Sequence, residues 1–229
     1  MAMDEKQLAG CIDHTLLKAE ATSGQIRKLC QDAVSYGFCC VSIQQRWIPL
    51  AAELTANSKV KVGAVVSLPL GGDSTKIKAA AARDAIFAGA DEIDMVADMA
   101  AIIEGDSKYL LNELLAVLKI CRSMRPAVTL KVIIEAAALT REQKIFACQI
   151  AQQAGVDFIK TSTGMHPAGG ATVEDVKLIK ETAPNCKIKA AGGIRTARQA
   201  LEMINAGADR IGTSCGVEII NQFRTGQIQ

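Results

Sequence analysis

Aromatic residues make up only 3% of this 229-residue chain, with one tryptophan, two tyrosines and five phenylalanines. Base stacking therefore has little to draw on, and no basic run supplies the phosphate footprint of a nucleic-acid binder. Histidine is scarce too, with only His14 and His166 present, which argues against a histidine-rich metal centre. Eight cysteines occur without a CxxC pair, so they read as reduced, mostly buried small hydrophobes and not as disulfides or zinc ligands. No stretch of about 18 uninterrupted apolar residues could span a bilayer. The opening MAMDEKQLAG lacks the basic segment and apolar core of a secretory signal, so the expected location is the cytoplasm. No Gly-x-Gly-x-x-Gly follows the first candidate strand, which removes the commonest signature of an open dinucleotide-binding sheet.

What the chain does have is material for a core. Apolar residues make up 49% of it and the net charge is only +2, as suits a globular domain. Strand-length apolar runs at 11–13, 39–43, 60–67, 92–96, 128–135, 157–161, 187–190 and 210–212 alternate with amphipathic stretches at 23–36, 48–57, 74–88, 107–124, 141–154, 173–182, 197–206 and 217–223. Gly37, Gly89, Gly155 and Gly207 follow helical stretches, where a left-handed residue ends a helix. Ser23, Ser74, Thr140, Thr172 and Thr196 precede helical stretches, where a hydroxyl can accept from free amides. Eight strands alternating with eight helices, without a linker, predict an α/β fold: a single (β/α)8 barrel, the TIM-barrel architecture, over residues 1–229.

Barrels of this kind carry their chemistry at the carboxyl ends of the strands. The polar residues there are Asp13, His14 and Thr15, then Ser42 and Gln44, Ser67, Asp94 and Asp98, Glu135, Lys160 with Thr161 to Thr163, Lys189, and Thr213 with Ser214. Lys160 and Lys189 end adjacent strands. Desolvation and mutual repulsion both disfavour their charged forms, so at least one amine should titrate well below the usual value of about 10.4. A neutral lysine amine attacks carbonyl carbon and forms a Schiff base. Alternatively, each lysine pairs with Asp94 or Glu135 as ordinary barrel electrostatics. Asp94, inside the barrel, must be either paired or used in proton transfer. His14 reads as a hydrogen-bonded structural histidine beside Asp13, and His166 has no evident partner. Gly192 and Gly193, just before a helix, and Thr213 to Gly216 after the last strand form two adjacent loops suited to an anion.

The segments DHTLLK (13–18), DEIDMV (91–96), FIKTSTG (158–164), KAAGGIRT (189–196) and RIGTSCG (210–216) together resemble the deoxyribose-phosphate aldolase family, in order and over nearly the whole chain. The resemblance implies a class I, Schiff-base lyase that reversibly cleaves 2-deoxy-D-ribose 5-phosphate to acetaldehyde and D-glyceraldehyde 3-phosphate, with no metal and no organic cofactor. It implies Lys160 as the Schiff-base lysine, Lys189 as the neighbour that lowers its pKa, and Asp94 as a proton-relay carboxylate. Gly192, Gly193 and Ser214 would hold the phosphate, and Asp13, Thr15, Thr163, Gly212 and Cys215 would complete the substrate site. The implied partner is a small phosphorylated sugar, with neither nucleic acid nor membrane, and the implied assembly is a homodimer or larger homo-oligomer.

Several positions depart from the family pattern. Ala97 to Ala100, Ser42 to Gln45 and Ala136 to Ala138 stand where other residues are usual, and Cys215 replaces a serine. These departures keep two other readings open: a related Schiff-base aldolase for a different short sugar phosphate, motivated by Asp98, Gln44 and Gln45, and a sugar-phosphate-binding barrel without aldolase chemistry.

Overall fold

The computed structural model describes residues 3–226. Eight parallel strands, β1 (Ile12–Leu16), β2 (Cys40–Ile43), β3 (Lys61–Val66), β4 (Glu92–Val96), β5 (Thr129–Ile133), β6 (Phe158–Lys160), β7 (Lys187–Ala191) and β8 (Arg210–Thr213), close into a barrel in which β8 returns to pair with β1. Helices α1 (Glu5–Ala9), α2 (Ser23–Tyr36), α3 (Ile48–Thr55), α4 (Thr75–Phe87), α5 (Met99–Glu104), α6 (Ser107–Ser123), α7 (Arg141–Ala154), α8 (Val173–Thr182), α9 (Ala197–Ala206) and α10 (Gly216–Arg224) alternate with the strands. The expected (β/α)8 architecture is therefore present. The additional α1 and α5 have only five and six residues, too few for a helical period to show in the sequence.

Capping follows the expected chemistry with shifts of detail. Thr140, Thr172 and Thr196 accept from the amides three residues on, and Gly37, Gly155 and Gly207 end their helices in the left-handed region. Ser23 is not the cap of α2. Thr22 takes that role, paired with Gln25 in a reciprocal capping box, which leaves Ser23 as the first helical residue. Ser74 sits at the cap position of α4, but its side chain makes no capping bond.

Strand parity separates two environments. Ile12, Val41, Val62, Ile93, Leu130, Ile159, Ile188 and Ile211 join the apolar layer beneath the helices. The alternate positions point into the barrel, and there Asp13, Glu92, Asp94, Lys131, Lys160, Lys189 and Arg210 are all buried. This interior is ionic where most barrels stack branched aliphatics. Register brings its members side by side: Asp94 is opposite Lys131, Lys160 opposite Lys189, and Lys189 opposite Arg210. β1 runs beyond the expected 11–13 to Leu16, so His14 takes the helix-facing parity, tilted on Phe38 with ring centroids 5.1 Å apart.

A second buried ion pair fixes the exit of β4. Lys78 of α4 donates to Glu113 of α6 at 2.6 Å and to the Val96 carbonyl at 2.9 Å, and Glu113 accepts from the Asp98 amide at 3.0 Å. Burial pushes the Glu113 carboxyl up, and Lys78 partly offsets that. Removing one partner strands a buried charge. Lys78→Met should therefore destabilise the fold by about 3–5 kcal/mol, and the double change Lys78→Met with Glu113→Leu should recover most of the loss. Denaturant midpoints of the two variants check this; equal midpoints would contradict it.

Candidate active site

Three adjacent strand exits and the loop after β1 enclose a cavity of about 280 Å³ at the carboxyl end of the barrel. Lys160, Thr163 and Gly164 line it from β6, Ala191 to Arg195 from β7, Gly212 to Ser214 from β8, and Thr15 to Lys18 from β1. A larger hollow of about 600 Å³ lies over the ends of β2 and β3, between Gln44, Gln45, Ser67 and Asp73. It contains no member of the ionic interior. Chemistry, not volume, picks out the smaller cavity.

Lys160 is the one lysine of the barrel interior that lines this cavity. Its Nζ donates to Asp94 Oδ2 at 2.9 Å. Lys189, behind it, reaches the same oxygen at 2.6 Å and Asp13 Oδ2 at 2.6 Å. Lys131 holds Asp94 Oδ1 at 2.7 Å and Glu92 at 2.5 Å. Arg210 closes the network from the opposite end, donating through Nε to Asp13 at 2.6 Å and through its terminal nitrogen to Glu92 at 3.0 Å.

The two lysines that share Asp94 Oδ2 differ in how many acids they own. Burial pushes the Lys160 amine down; Asp94 only partly restores it, and Lys189 and Lys131 repel the added proton, so it titrates at about 8. Burial also opposes charge on Lys189, but Asp13 and Asp94 together outweigh it and raise its pKa above the ordinary value. Lys131 lies well above for the same reason. Burial would raise Asp94 and Asp13, yet the surrounding cations hold both well below the usual carboxylate range. One lysine is thus an ammonium and the other a poised amine, which is what the sequence predicts of at least one of the pair. The alternative partner, Glu135, binds no lysine. It accepts from the Thr163 hydroxyl at 2.5 Å and the Thr163 amide at 3.2 Å, with its own backbone left-handed at φ 52°.

The other half of the cavity is built from backbone. Gly192 and Gly193 both have positive φ, at 92° and 81°, just before α9. The Thr213 hydroxyl donates to the Ile194 carbonyl at 2.7 Å and accepts from the Cys215 amide at 2.9 Å, tying the two loops together. Exposed Lys18 and Arg195 stand on the rim. The Ser162 hydroxyl is fully buried without a protein partner, and a side chain placed on Gly192 would approach its Cβ at 3.5 Å. Backbone amides, two rim cations and a poised amine together can hold a small phosphorylated carbonyl compound with its carbonyl carbon at Lys160.

Most of the residues singled out in the sequence converge here. Lys160, Thr15, Thr163, Gly192, Gly193, Gly212 and Ser214 line the cavity, with Lys189 and Asp94 directly behind Lys160. Asp13 does not reach the cavity; it is fully buried and serves as a counter-ion for Lys189 and Arg210. Cys215 stands off the lining, at the start of α10. Gly212 has a packing reason to be glycine, since a Cβ there would meet Ala191 Cβ at 2.9 Å and Lys189 Cε at 3.0 Å. Asp98 caps α5, Gln44 donates to the Leu17 carbonyl, and Gln45 donates to the Val65 carbonyl. His14 is buried against Phe38, its pKa lowered by desolvation, and His166 is exposed in the loop after β6. Lys131, Glu92, Arg210, Lys18 and Arg195 were missed. Strand parity counted from Asp94 could have found Glu92, and with the register of β5 also Lys131; Arg210, at the amino end of its strand, carries no local signal of its role.

A family model described as DeoC/LacD family aldolase matches residues 8–222. The chain is 46% identical over 217 residues to a deoxyribose-phosphate aldolase of Geobacillus sp. (strain WCH70), covering 94% of this chain and 96% of that one. It is 47% identical over 223 residues to a deoxyribose-phosphate aldolase of Thermococcus gammatolerans, covering 96% and 98%. The solved tetrameric structure of deoxyribose phosphate aldolase from Aeropyrum pernix superimposes with a TM-score of 0.90 at 30% identity, covering 97% of this chain and 93% of that one.

The Gly192 loop rests on the loop after β6 at a contact only glycine permits. A Cβ on Gly170 would lie 2.2 Å from the Gly192 carbonyl oxygen and 2.4 Å from its carbon. Gly170→Ala should therefore cost about 1–3 kcal/mol and displace the Gly192 turn. Thermal unfolding with and without inorganic phosphate tests it: a variant as stable as the parent and equally stabilised by phosphate would disprove the contact.

Proposed function

The chain belongs to the DeoC/LacD family of aldolases, and from that premise we propose that it reversibly cleaves 2-deoxy-D-ribose 5-phosphate to acetaldehyde and D-glyceraldehyde 3-phosphate through a Schiff base on Lys160. The observation that carries the reading is the asymmetry around Asp94: Lys189 has two carboxylates and Lys160 has one, and Lys160 alone opens on the cavity.

In this reading the neutral amine of Lys160 adds to the C1 carbonyl of the open-chain sugar to give a carbinolamine, and a proton delivered to its hydroxyl lets water leave as the protonated imine forms. Removal of the C3 hydroxyl proton breaks the C2–C3 bond, and its electron pair moves into the imine to give an enamine. Protonation of that enamine at C2 and hydrolysis release acetaldehyde and free the amine. Asp94, shared among three lysines, is the carboxylate that relays protons at the imine, and Lys189 supplies the neighbouring positive charge. Gly192, Gly193 and Ser214 bind the phosphate, assisted by the rim cations Lys18 and Arg195.

The departures at Gln44, Gln45 and Asp98 do not argue for a different substrate, because all three side chains are engaged with backbone. We place the protein in the cytoplasm, where its eight free cysteines suit a reducing milieu. No helix among the described residues is long and apolar enough to cross a membrane. The tetramer of the Aeropyrum relative supports a homo-oligomer here as well.

With the Lys160 amine displaced from 10.5 to about 8 in the folded protein, its neutral fraction grows as pH rises through 8. Turnover at subsaturating substrate should rise along the same limb, and a flat profile between pH 6 and 9 would count against it. The same shift gives a stability signature. The unfolded chain holds more protons on this lysine between pH 8 and 10.5, so its contribution to stability increases with pH across that window. Lys160→Ala should abolish borohydride trapping of acetaldehyde on the protein. Lys189→Leu should leave trapping possible but move its pH limb upward, since Asp94 then serves Lys160 more fully; an unmoved limb would refute the role given to Lys189.

A further inference from the structure

The barrel interior contains a charge balance that reaches well beyond the cavity. Three carboxylates, Asp13, Glu92 and Asp94, are matched by Lys131, Lys189 and Arg210, and every one of the six contacts at least one partner of opposite sign. Lys160 is the fourth cation, with no fourth acid to receive it, since Glu135 is bonded to Thr163. Arg210 lies at the other end from the substrate cavity. It is the first residue of β8, and its guanidinium carbon stands 5.9 Å from the ring of Phe158, the first residue of β6.

We propose that Arg210 is a positioning residue for the reaction: by holding Asp13 and Glu92 it leaves Asp94 shared among Lys131, Lys189 and Lys160, so that the Lys160 amine stays uncharged and nucleophilic. The inference rests on the Schiff-base reading of Lys160 and adds a remote determinant to it. The charge count carries the argument. Without Arg210, three carboxylates face two ammonium groups, and Lys131 and Lys189 are drawn towards Glu92 and Asp13, which they already touch at 2.5 and 2.6 Å. Asp94 is then left to Lys160, and the cheapest way to restore neutrality in a buried network is to protonate that amine. Guanidinium suits the post because it cannot give up its proton and can bridge two carboxylates at once.

The groups that bear on this pH dependence are few. Around Lys160 are Asp94, Lys131 and Lys189, with Glu135 engaged by Thr163 beyond them. Around Arg210 are Asp13, Glu92 and the thiols of Cys39 and Cys40, with Cys11 and its neighbour Asp209 close by and Lys187 on the same Phe158 ring. Burial pushes the Cys40 thiol well above its ordinary value and that of Cys39 to about 11, so neither adds charge at neutral pH.

The test is the pH profile of acetaldehyde trapping on Lys160 by borohydride, located by peptide mass spectrometry, in the full-length protein. Arg210→Met should move the acid limb up by about one pH unit, a tenfold loss of trapping rate on that limb. Glu92→Gln, which removes an anion instead, should move it down. The double variant removes one charge of each sign and should return the limb close to its original position, as should the conservative Arg210→Lys. A merely structural arginine would lower stability in circular-dichroism melts without such sign-dependent, compensating shifts. Should Arg210→Met fail to fold, Glu92→Gln and the double variant carry the same prediction. An adduct on Lys160 whose pH profile is alike in all folded variants would overturn the role of Arg210 while leaving Lys160 intact. Absence of any Lys160 adduct in the unaltered protein would overturn both.

Discussion

A buried ionic lattice of three carboxylates and three permanent cations is the constraint on which the rest of this barrel depends. Isolated charges in a protein interior cost far more than a fold can tolerate, so each must be paired with good geometry. Parallel register meets that demand by setting acid-bearing and cation-bearing strands next to one another, as with Asp94 and Lys131. Once the six are satisfied, a seventh ionisable group at the mouth has no full counter-charge. Lys160 is that group, and its lowered pKa is the remainder of the balance.

The same arrangement explains why two buried lysines behave differently. Lys189 sits deeper and touches two acids; Lys160 touches one and borders the cavity. A difference of one carboxylate contact is enough to hold one amine charged and let the other titrate at about 8. A shift of that size from 10.5 corresponds to roughly 3 kcal/mol. Packing outside the barrel supports this from a distance, because the Lys78–Glu113 pair grips both sides of Ala97 at the exit of the strand that carries Asp94. The glycine contacts between the loops after β6 and β7 do the corresponding work on the other side of the cavity.

Much of this was legible from residue order. Helix-ending glycines, hydroxyl caps and alternating apolar runs identified the barrel, and the lysines at the ends of the sixth and seventh strands pointed to amine chemistry. Legibility failed where a residue's meaning depends on its cross-strand neighbour. The family resemblance put Asp13 in the substrate site; the strand continues to Leu16, and the side chain lies in the buried lattice. Asp98 and Gln44 looked like site residues because they follow strands, yet each bonds to nearby backbone. Lys131 drew no notice in TLKVI, since a lone lysine in a strand reads as a solvent-facing residue until the closed sheet makes that parity the interior.

The sequence by itself determined the element order, the strand-end lysines, the glycine-bearing loops and the family resemblance, because these are local patterns of spacing and side-chain type. The family resemblance implied which lysine is the amine, but only the tertiary structure decided why Lys160 is the amine and Lys189 the ammonium. That choice depends on how many carboxylates each one reaches, and barrel closure brings those carboxylates from β1 and β4 to lysines 66 to 176 positions away along the chain. Electrostatic energy depends on distance in space, so the charge that matters most to Lys160 is one the order of residues does not reveal.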